Sequence, residues 1–225
     1  MGWPNNYVQG VYNSDNELVG VDGGTGDDIG LALSYEWATK PLASAYIGTA
    51  FISDIGQGGS YWISNGAEWK PLNGHIVLAS SAVAGSAITG NSGVDNTVAT
   101  VTIPAKAMGL NGRIEVFVKL TATIVTTVTT LYVKVGGTTA WGVGLGLYAS
   151  STGISTRCSF QNRNSASSQL ASIGAVTDYG GSNGALFIKP AIDTTVDQTL
   201  SIIFNAGNAA STHILESYTV ILTTP

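Results

Sequence analysis

The segment Tyr46–Gly74, YIGTAFISDIGQGGSYWISNGAEWKPLNG, contains the clearest local structural signal in the sequence. Within it, Asn65-Gly66 separates two short runs rich in aromatic and β-branched residues. A type I′ turn needs positive φ at both central residues, so Asn-Gly in this setting predicts a tight β-hairpin. Trp62 and Trp69 fall on opposite arms of that hairpin, where we expect them to form the core of a small β module. A sugar-stacking site is the alternative role for this aromatic pair.

The overall composition also favours β structure. The chain has 225 residues, of which 44% are hydrophobic and only 10% are charged. Soluble domains usually have about a quarter of their residues charged. Few charges, together with abundant Gly, Ser, Thr, Ala and Val, predict an all-β structural protein with a neutral, polar surface. The length allows one or two domains with a sizeable core.

Charge and cysteine content exclude several classes of function. The formal net charge is −5 and no Lys/Arg cluster is present, so binding to nucleic acid is not expected. The single cysteine, Cys158, rules out an internal disulfide. The N-terminal residues MGWPNNYVQG lack the pattern of a signal peptide, and no run approaches the roughly twenty apolar residues of a membrane helix, so no membrane insertion is expected.

The C-terminal half shows regular two-residue periodicity. Ile114, Val116 and Val118 alternate with Arg113 and Glu115, as in a half-buried strand. A series of such segments separated by turn residues predicts an antiparallel β-sandwich of jelly-roll type. We therefore predict an all-β chain in four parts: an N-terminal attachment arm and connector over 1–45, the β-hairpin module over 46–80, a linker over 81–96 and the jelly-roll-like sandwich over 97–225.

Several sequence motifs occur in an order that resembles a known class of proteins. The W…NG…W core of the hairpin module is one of them. The others are VATVTIPAKAMGLNGRIEVFVKLT, LYVKVGGTTAWG, FQNRNSASSQLAS, DTTVDQTLSIIFNAG and THILESYTVILTTP. In order and spacing they are similar to tailed-bacteriophage virion surface proteins of the tail-fibre, head-fibre and decoration type. The segment 124–130, IVTTVTT, departs from the Ser/Asn-rich pattern of that class, so no role is carried over to it.

This resemblance implies a structural protein displayed on the virion, on the capsid or the tail. A short fibre or fibre tip that attaches to the host surface through its C-terminal β-sandwich is the first expectation. A capsid decoration or head-fibre protein, bound to the capsid lattice through the N-terminal arm, is the alternative, and a free carbohydrate-binding module is the third. The resemblance also implies a homotrimer, other virion proteins as partners of the arm, and a host-surface glycan as a partner of the sandwich.

The sequence carries no recognisable catalytic chemistry, so an enzyme, a cofactor and a metal site are not expected. HExxH and CxxC elements and a GxGxxG dinucleotide-binding fingerprint are missing. We expect His75 and His213 to be surface or packing residues and Cys158 to be a buried, inert thiol.

Two sets of residues are candidates for contacts with other molecules. Amide and aromatic side chains offer stacking and hydrogen bonds to a glycan, so receptor-contact loops are predicted, with ordinary loop polarity as the alternative. These candidates are Gln161, Asn162, Arg163, Asn164, Tyr179 and Asn183. Gly142, Gly144 and Gly146 leave one face of a strand without side chains, which predicts a subunit-packing seam.

Overall fold

The computed structural model describes residues 9–12, 18–22, 33–45, 47–53, 55, 59–89, 93–123, 129–145, 152–173, 187–205, 208 and 210–224. Within these ranges the regular structure consists of β-strands and a single 3-10 turn. The prediction of an all-β chain is therefore confirmed. The chain forms two compact units, Met1–Leu72 and Asn73–Pro225.

The N-terminal unit contains a two-stranded ribbon and a four-stranded sheet. Strands β1 (Gln9–Tyr12) and β2 (Leu18–Asp22) form the antiparallel ribbon. The sheet has the order β3-β4-β5-β6, and its strands are Leu33–Tyr35, Ile47–Ile52, Ser60–Asn65 and Trp69–Pro71. Strand β3 runs parallel to β4, whereas the other pairs are antiparallel. Residues 33–35, predicted to lie in an arm and connector, thus belong to the same sheet as the hairpin.

Three tryptophans form the core of this sheet. Trp62 is fully buried, Trp37 and Trp69 are each 8% exposed, and the ring centroids of Trp37 and Trp62 are 4.7 Å apart. Both hairpin indoles donate hydrogen bonds, Trp62 to Ser60 Oγ at 2.8 Å and Trp69 to the Pro41 carbonyl at 3.0 Å. A buried indole N–H needs such a partner. The predicted core role of Trp62 and Trp69 agrees with this burial.

The hairpin is present, but its turn differs from the prediction. The last paired residues are Ser64 and Trp69, so residues 65–68 make a four-residue connection instead of a two-residue type I′ turn. Gly66 has φ of +85°, a conformation that glycine adopts without strain. Asn65 extends β5 instead of forming the turn, because it pairs with Ile47 of β4.

The C-terminal unit consists of two antiparallel sheets. Strands β7 (His75–Ser81) and β8 (Ile88–Thr89) precede nine further strands, β9–β17. Those strands are Asp95–Ile103, Arg113–Thr123, Thr129–Val135, Thr138–Leu145, Thr152–Asn162, Gln169–Ile173, Phe187–Ile188, Gln198–Asn205 and Thr212–Thr223. One sheet has the order β15-β14-β13-β10-β17-β7, with β8 also paired to β17, and the other has the order β12-β11-β16-β9.

The inner faces of both sheets carry the apolar residues that the two-residue periodicity predicts. Along β10, side chains at alternate positions from Ile114 to Ala122 are at most 2% exposed. Buried apolar side chains of the second sheet include Leu131, Val133, Val135, Leu200, Ile202 and Phe204. The Phe204 ring stacks on the His213 ring of the first sheet at a centroid distance of 5.5 Å. The architecture is therefore β-sandwich-like, with one core between the sheets.

The tight turn between β11 and β12 follows from two glycines. Val135 pairs with Thr138, which leaves Gly136 and Gly137 as a two-residue loop. Their φ angles are +57° and +76°, as a type I′ turn requires. A Cβ atom at Gly136 would also meet Gln198 Oε1, but the end of this flexible side chain can move, so the backbone conformation is the main restriction at this position.

The boundary between the units lies earlier than the sequence suggests. Strand β7 pairs with β17 from His75 to Ser81, so residues 73–80 belong to the sandwich unit and not to the hairpin module. The predicted linker 81–96 connects β7 to β9 within the same unit. Its residues 82–87 are exposed, and Gly85 N–H donates to the Leu215 carbonyl at 2.8 Å. Alternating patterns identify strands but do not reveal which sheet a strand joins.

Candidate functional site

The candidate site lies at one end of the larger sheet, where β10 begins and β13 and β17 end. Arg113 pairs in register with Gln161 on one side and Thr223 on the other. In-register residues on antiparallel strands place their side chains on the same face of a sheet. That face is the outer one, because the next residue, Ile114, is completely buried in the core. Together with Asn111, these three side chains line an open depression of about 440 Å³.

The residues that line the depression present hydrogen-bond donors. Asn111 Oδ1 accepts the Asn164 N–H at 2.9 Å, which leaves the two N–H bonds of its amide for other partners. Gln161 and Thr223 add an amide and a hydroxyl, and Arg113 adds a guanidinium group whose side chain is 42% exposed. None of the four lining side chains is acidic.

A cluster of charged residues extends from Arg113 along the outer face. The Glu115 carboxylate is only 10% exposed and lies between two guanidinium groups. Arg113 Nη2 is 3.5 Å from Glu115 Oε1, and Arg157 Nη2 donates a hydrogen bond to the same oxygen. The Arg157 guanidinium carbon also lies 5.0 Å from the Phe117 ring centroid. Two guanidinium groups and one carboxylate leave one net positive charge on this part of the surface.

The chain concentrates its arginines in this region. Its three arginines are Arg113 on β10, Arg157 on β13 and Arg163 in the loop that follows β13. The formal net charge of the whole chain is −5. Arginine is the cation best suited to pairing with carboxylate and phosphate groups, so this end of the sandwich differs in chemistry from the chain as a whole.

The predicted receptor-contact residues separate into two groups in the structure. Gln161 lines the depression, and Arg163 and Asn164 are exposed in the adjacent loop. Asn164 has φ of +52°, a left-handed conformation that asparagine tolerates better than most residues. Tyr179 and Asn183 lie outside the described residues.

Asn162 does not fit the role predicted for it. Its side chain is 1% exposed, and its Nδ2 donates to the Gly109 carbonyl at 2.7 Å and to Thr194 Oγ1 at 2.9 Å. Its Oδ1 accepts from Gln169 Nε2 at 3.1 Å. Because this amide is buried and uses its hydrogen bonds within the protein, it cannot contact a receptor. It instead holds the start of the loop that carries Arg163.

The same polar network fixes neighbouring segments of the chain. Gln169 is fully buried, and its amide exchanges two 2.8 Å hydrogen bonds with the backbone N–H and carbonyl of Ile192. Thr194 Oγ1 donates to the Ala166 carbonyl at 3.0 Å. Buried amides with all their hydrogen bonds formed specify one arrangement of the backbone. The loops beside the depression are therefore held in place from below.

The structure describes the surroundings of one residue of the predicted subunit-packing seam. A Cβ atom at Gly142 would lie 2.7 and 2.9 Å from two ring atoms of Tyr132, its in-register partner on β11. The space above Gly142 is thus occupied by a side chain of the same chain, and packing against another subunit stays a prediction. Gly144 of β12 pairs with Thr130 of β11, and Gly146 lies outside the described residues.

The structure shows the surroundings of Cys158, His213 and His75, the titratable residues singled out in the sequence. Cys158 is buried on the inner face of β13, and burial raises the pKa of its thiol, so the reactive thiolate is disfavoured. His213 is fully buried against Phe204, and this burial lowers the pKa of its imidazole. His75 is exposed at the start of β7. The predicted burial of Cys158 is confirmed.

Two features are absent from the described part of the chain. No group of three or more His, Cys, Asp or Glu residues in it is arranged to hold a metal ion. No helix in that part is long and apolar enough to cross a membrane.

Arg113, Asn111 and Thr223 were not among the residues predicted from sequence. Arg113 appeared only as an outward-facing position in a strand. The sequence feature that could have indicated this site is the position of the three arginines in a chain with few charged residues. Two of the three arginines lie at outward positions of strands. Their convergence depends on the pairing of β10 with β13, which the sequence does not specify.

Similarity to known proteins does not indicate a function for the chain, so the function proposed below is based on the sandwich and its site. No protein-family model matches the chain, and no curated protein matches it significantly.

Proposed function

We propose that the chain is a bacteriophage virion protein displayed on the particle surface, a short fibre or fibre tip that attaches to the host through its C-terminal β-sandwich. The observation that carries the attachment role is the depression beside Arg113 and Gln161, where three of the residues proposed for receptor contact, Gln161, Arg163 and Asn164, are exposed together. The order of the phage-like motifs supports the virion assignment. The proposed role is binding, not catalysis.

The geometry of the sandwich suits attachment. Loops positioned by a rigid β scaffold are common binding surfaces. Here the buried Asn162–Gln169 pair and the backbone of Ile192 support the exposed loop from within. A receptor-binding loop that is held in place loses little conformational entropy on binding, which favours affinity.

The finer fold proposal is a jelly roll. Successive strands of the C-terminal unit repeatedly cross between the two sheets, with β9 in one, β10 in the other, then β11 and β12 back in the first. Strands β13 and β14 return to the larger sheet, β16 to the smaller and β17 to the larger. This alternation between the two sheets supports the proposed jelly roll, a fold of eight strands in two sheets. Such domains occur in many viral capsid proteins.

The second candidate function is capsid decoration or a head fibre, bound to the capsid lattice through the N-terminal residues. The feature that favours it is the direct succession of the hairpin module and the sandwich, with no long shaft repeat between them. The same trimeric assembly is proposed for both functions. Light scattering coupled to gel filtration tests it, since a trimer of a 23.1 kDa chain has a mass of 3 × 23.1 = 69.3 kDa.

Cell binding separates the two candidates. Fluorescently labelled full-length protein should bind cells of the phage host and be displaced by soluble surface glycan from that host. If the labelled protein does not bind host cells at saturating concentration but does associate with purified capsids, the result supports decoration instead. Depolymerisation of the glycan by the protein would contradict both candidates, because each assigns binding without catalysis.

A further inference from the structure

We propose that the depression lined by Asn111, Arg113, Gln161 and Thr223 binds the anionic substituent of an acidic saccharide, with Arg113 contacting the negative charge. The substituent is a carboxylate or a phosphate ester. Each of these groups presents at least two oxygens that can accept paired hydrogen bonds from a guanidinium group. The saccharide part of this inference rests on the attachment function proposed above. The anion part rests only on the side chains and charges of the depression.

Arg113 has the donors that such a group needs. Its described ionic partner is Glu115 Oε1, at 3.5 Å, and Arg157 donates a hydrogen bond to that same oxygen. A distance of 3.5 Å between nitrogen and oxygen is long for a charge-assisted hydrogen bond, which is about 2.7–2.9 Å. Most of the N–H groups of the half-exposed Arg113 guanidinium therefore remain for a ligand, and their fork geometry suits two oxygens of one anion.

Charge around the depression favours an anion over a neutral sugar. Glu115 is the carboxylate beside Arg113, and its charge is outweighed by the two guanidinium groups that flank it. The exposed Arg163 follows Gln161 by two residues in the loop beside the depression and adds a further positive charge. Interactions of this kind at an exposed site are weakened by salt, with a screening length of about 8–10 Å near physiological ionic strength.

The remaining lining residues suit the hydroxyl-rich body of a saccharide. Asn111, Gln161 and Thr223 can each donate to or accept from a sugar hydroxyl. The hydrogen bond from Asn164 N–H to Asn111 Oδ1 fixes the Asn111 amide, so its N–H groups have a defined direction. The volume of about 440 Å³ falls in the range of small-molecule sites, roughly 300–1,000 Å³. A site this open should bind one saccharide weakly, with a Kd of about 1 mM, and gain strength from several copies on one particle.

Ligand-observed saturation-transfer NMR on the full-length chain tests the inference. The probes are methyl glucuronide, glucose 1-phosphate and, as the neutral comparison, methyl glucoside. The test variant is Arg113→Gln, which removes the charge but keeps an amide. The matched control is Lys119→Gln, which removes the same charge from the same outer face of β10, about 20 Å away along the strand.

We expect at least one acidic probe to bind about tenfold more tightly than methyl glucoside, because a hydrogen bond to a charged group is stronger than a neutral one. Arg113→Gln should remove that difference, and Lys119→Gln should retain it. Binding of the acidic probe should also weaken in about 0.5 M NaCl. The relative affinity of glucuronide and sugar phosphate then identifies the carboxylate or the phosphate as the preferred anion.

Equal binding of acidic and neutral probes, or equal losses in the two variants, would overturn the inference. If Arg113→Gln does not fold, Arg113→Lys serves as the second variant. It keeps the positive charge but lacks the planar, forked arrangement of N–H donors of a guanidinium group. It should fall between the wild type and Arg113→Gln, and a Lys variant with unchanged affinity would contradict bidentate recognition. Because the measurement uses isolated protein, a negative result here leaves the virion assignment standing, and failure to find the protein on virions leaves this result standing.

Discussion

At the scale of single residues, the buried polar side chains explain why the candidate site has a defined shape. Asn162 and Gln169 lie beneath the surface and connect the end of β13 to the backbone at Gly109, Ile192 and Ala166. Sequence alone presented Asn162 as one of four similar polar residues in a loop. Strand alternation, which carries Asn162 to the inner face and leaves Gln161 and Arg163 outside, accounts for the different roles.

Replacing Asn162 by alanine should therefore destabilise the C-terminal unit. The change leaves the Gly109 carbonyl and Gln169 Nε2 without one of their partners, and an unsatisfied buried polar group costs about 1–3 kcal/mol. Urea unfolding followed by circular dichroism measures the loss. Gln161→Ala is the control, since truncation of that exposed neighbour should change stability by less than about 0.5 kcal/mol. Equal effects of the two substitutions would contradict the assigned network.

His213 should make the protein less stable in acid. Its pKa is lowered in the folded state by burial, so the unfolded chain, with a pKa near the ordinary value of 6.5, binds the proton first. The stability that depends on neutral His213 is therefore fully present above that pH and is lost as the pH falls below it.

The measurement is the free energy of unfolding in urea between pH 8 and pH 5. His213→Phe, which keeps an aromatic ring against Phe204, should show a smaller decrease over this range than the wild type. Identical pH profiles for the two proteins would show that His213 is not the group responsible.

At the scale of elements, two-residue alternation was sufficient to predict which side chains of β10 and β13 face the core. Ile114, Val118, Cys158 and Phe160 are all buried as expected. Sheet membership could not be predicted in this way, because alternation gives the faces of a strand but not its neighbours. For the same reason β7 was assigned to the wrong unit, and the convergence of Arg113 with Gln161 was missed.

The hairpin module offers a test of its aromatic core. Trp62→Ala removes a fully buried ring that contacts Trp37, and substitutions of this kind cost about 3–5 kcal/mol. We expect loss of the N-terminal sheet, seen as a lost or lowered transition in calorimetry, while the transition of the C-terminal unit persists. Ile63→Ala, on the same strand but 40% exposed, is the matched control and should have a much smaller effect. A module that tolerates Trp62→Ala would argue for a surface role of this residue.

The β11–β12 ribbon allows a direct test of the role of Gly142. Gly142→Ala should displace the Tyr132 ring and destabilise the ribbon, by about 1 kcal/mol for an overpacked contact. In the Tyr132→Ala background the same substitution should cost much less, because the ring that the new methyl group meets is gone. Such coupling in a double-mutant cycle, without any change in oligomeric mass, is the expected result. A change in mass with no coupling would support the subunit-packing hypothesis instead.

At the scale of the whole molecule, the chain combines a small β sheet containing a tryptophan core with a larger β-sandwich-like unit. All three arginines of the chain lie in the sandwich, on β10, on β13 and in the loop after β13. This unit has six acidic and seven basic residues, so its net charge is close to zero. Such a balance fits a surface protein whose specificity lies in a limited site instead of an extended electrostatic field. The division of labour that we propose is therefore assembly through the N-terminal part and recognition at the Arg113 end of the sandwich.

The most direct test of the virion assignment is immunogold electron microscopy of phage particles from lysates in which the protein is produced, with antibodies against the C-terminal unit. We predict gold at the tail tip or at fibres extending from it, as the attachment role requires. Gold distributed over the capsid would replace attachment by the decoration or head-fibre role. Particles without gold, in lysates where the soluble protein is detected, would contradict the assignment to the virion.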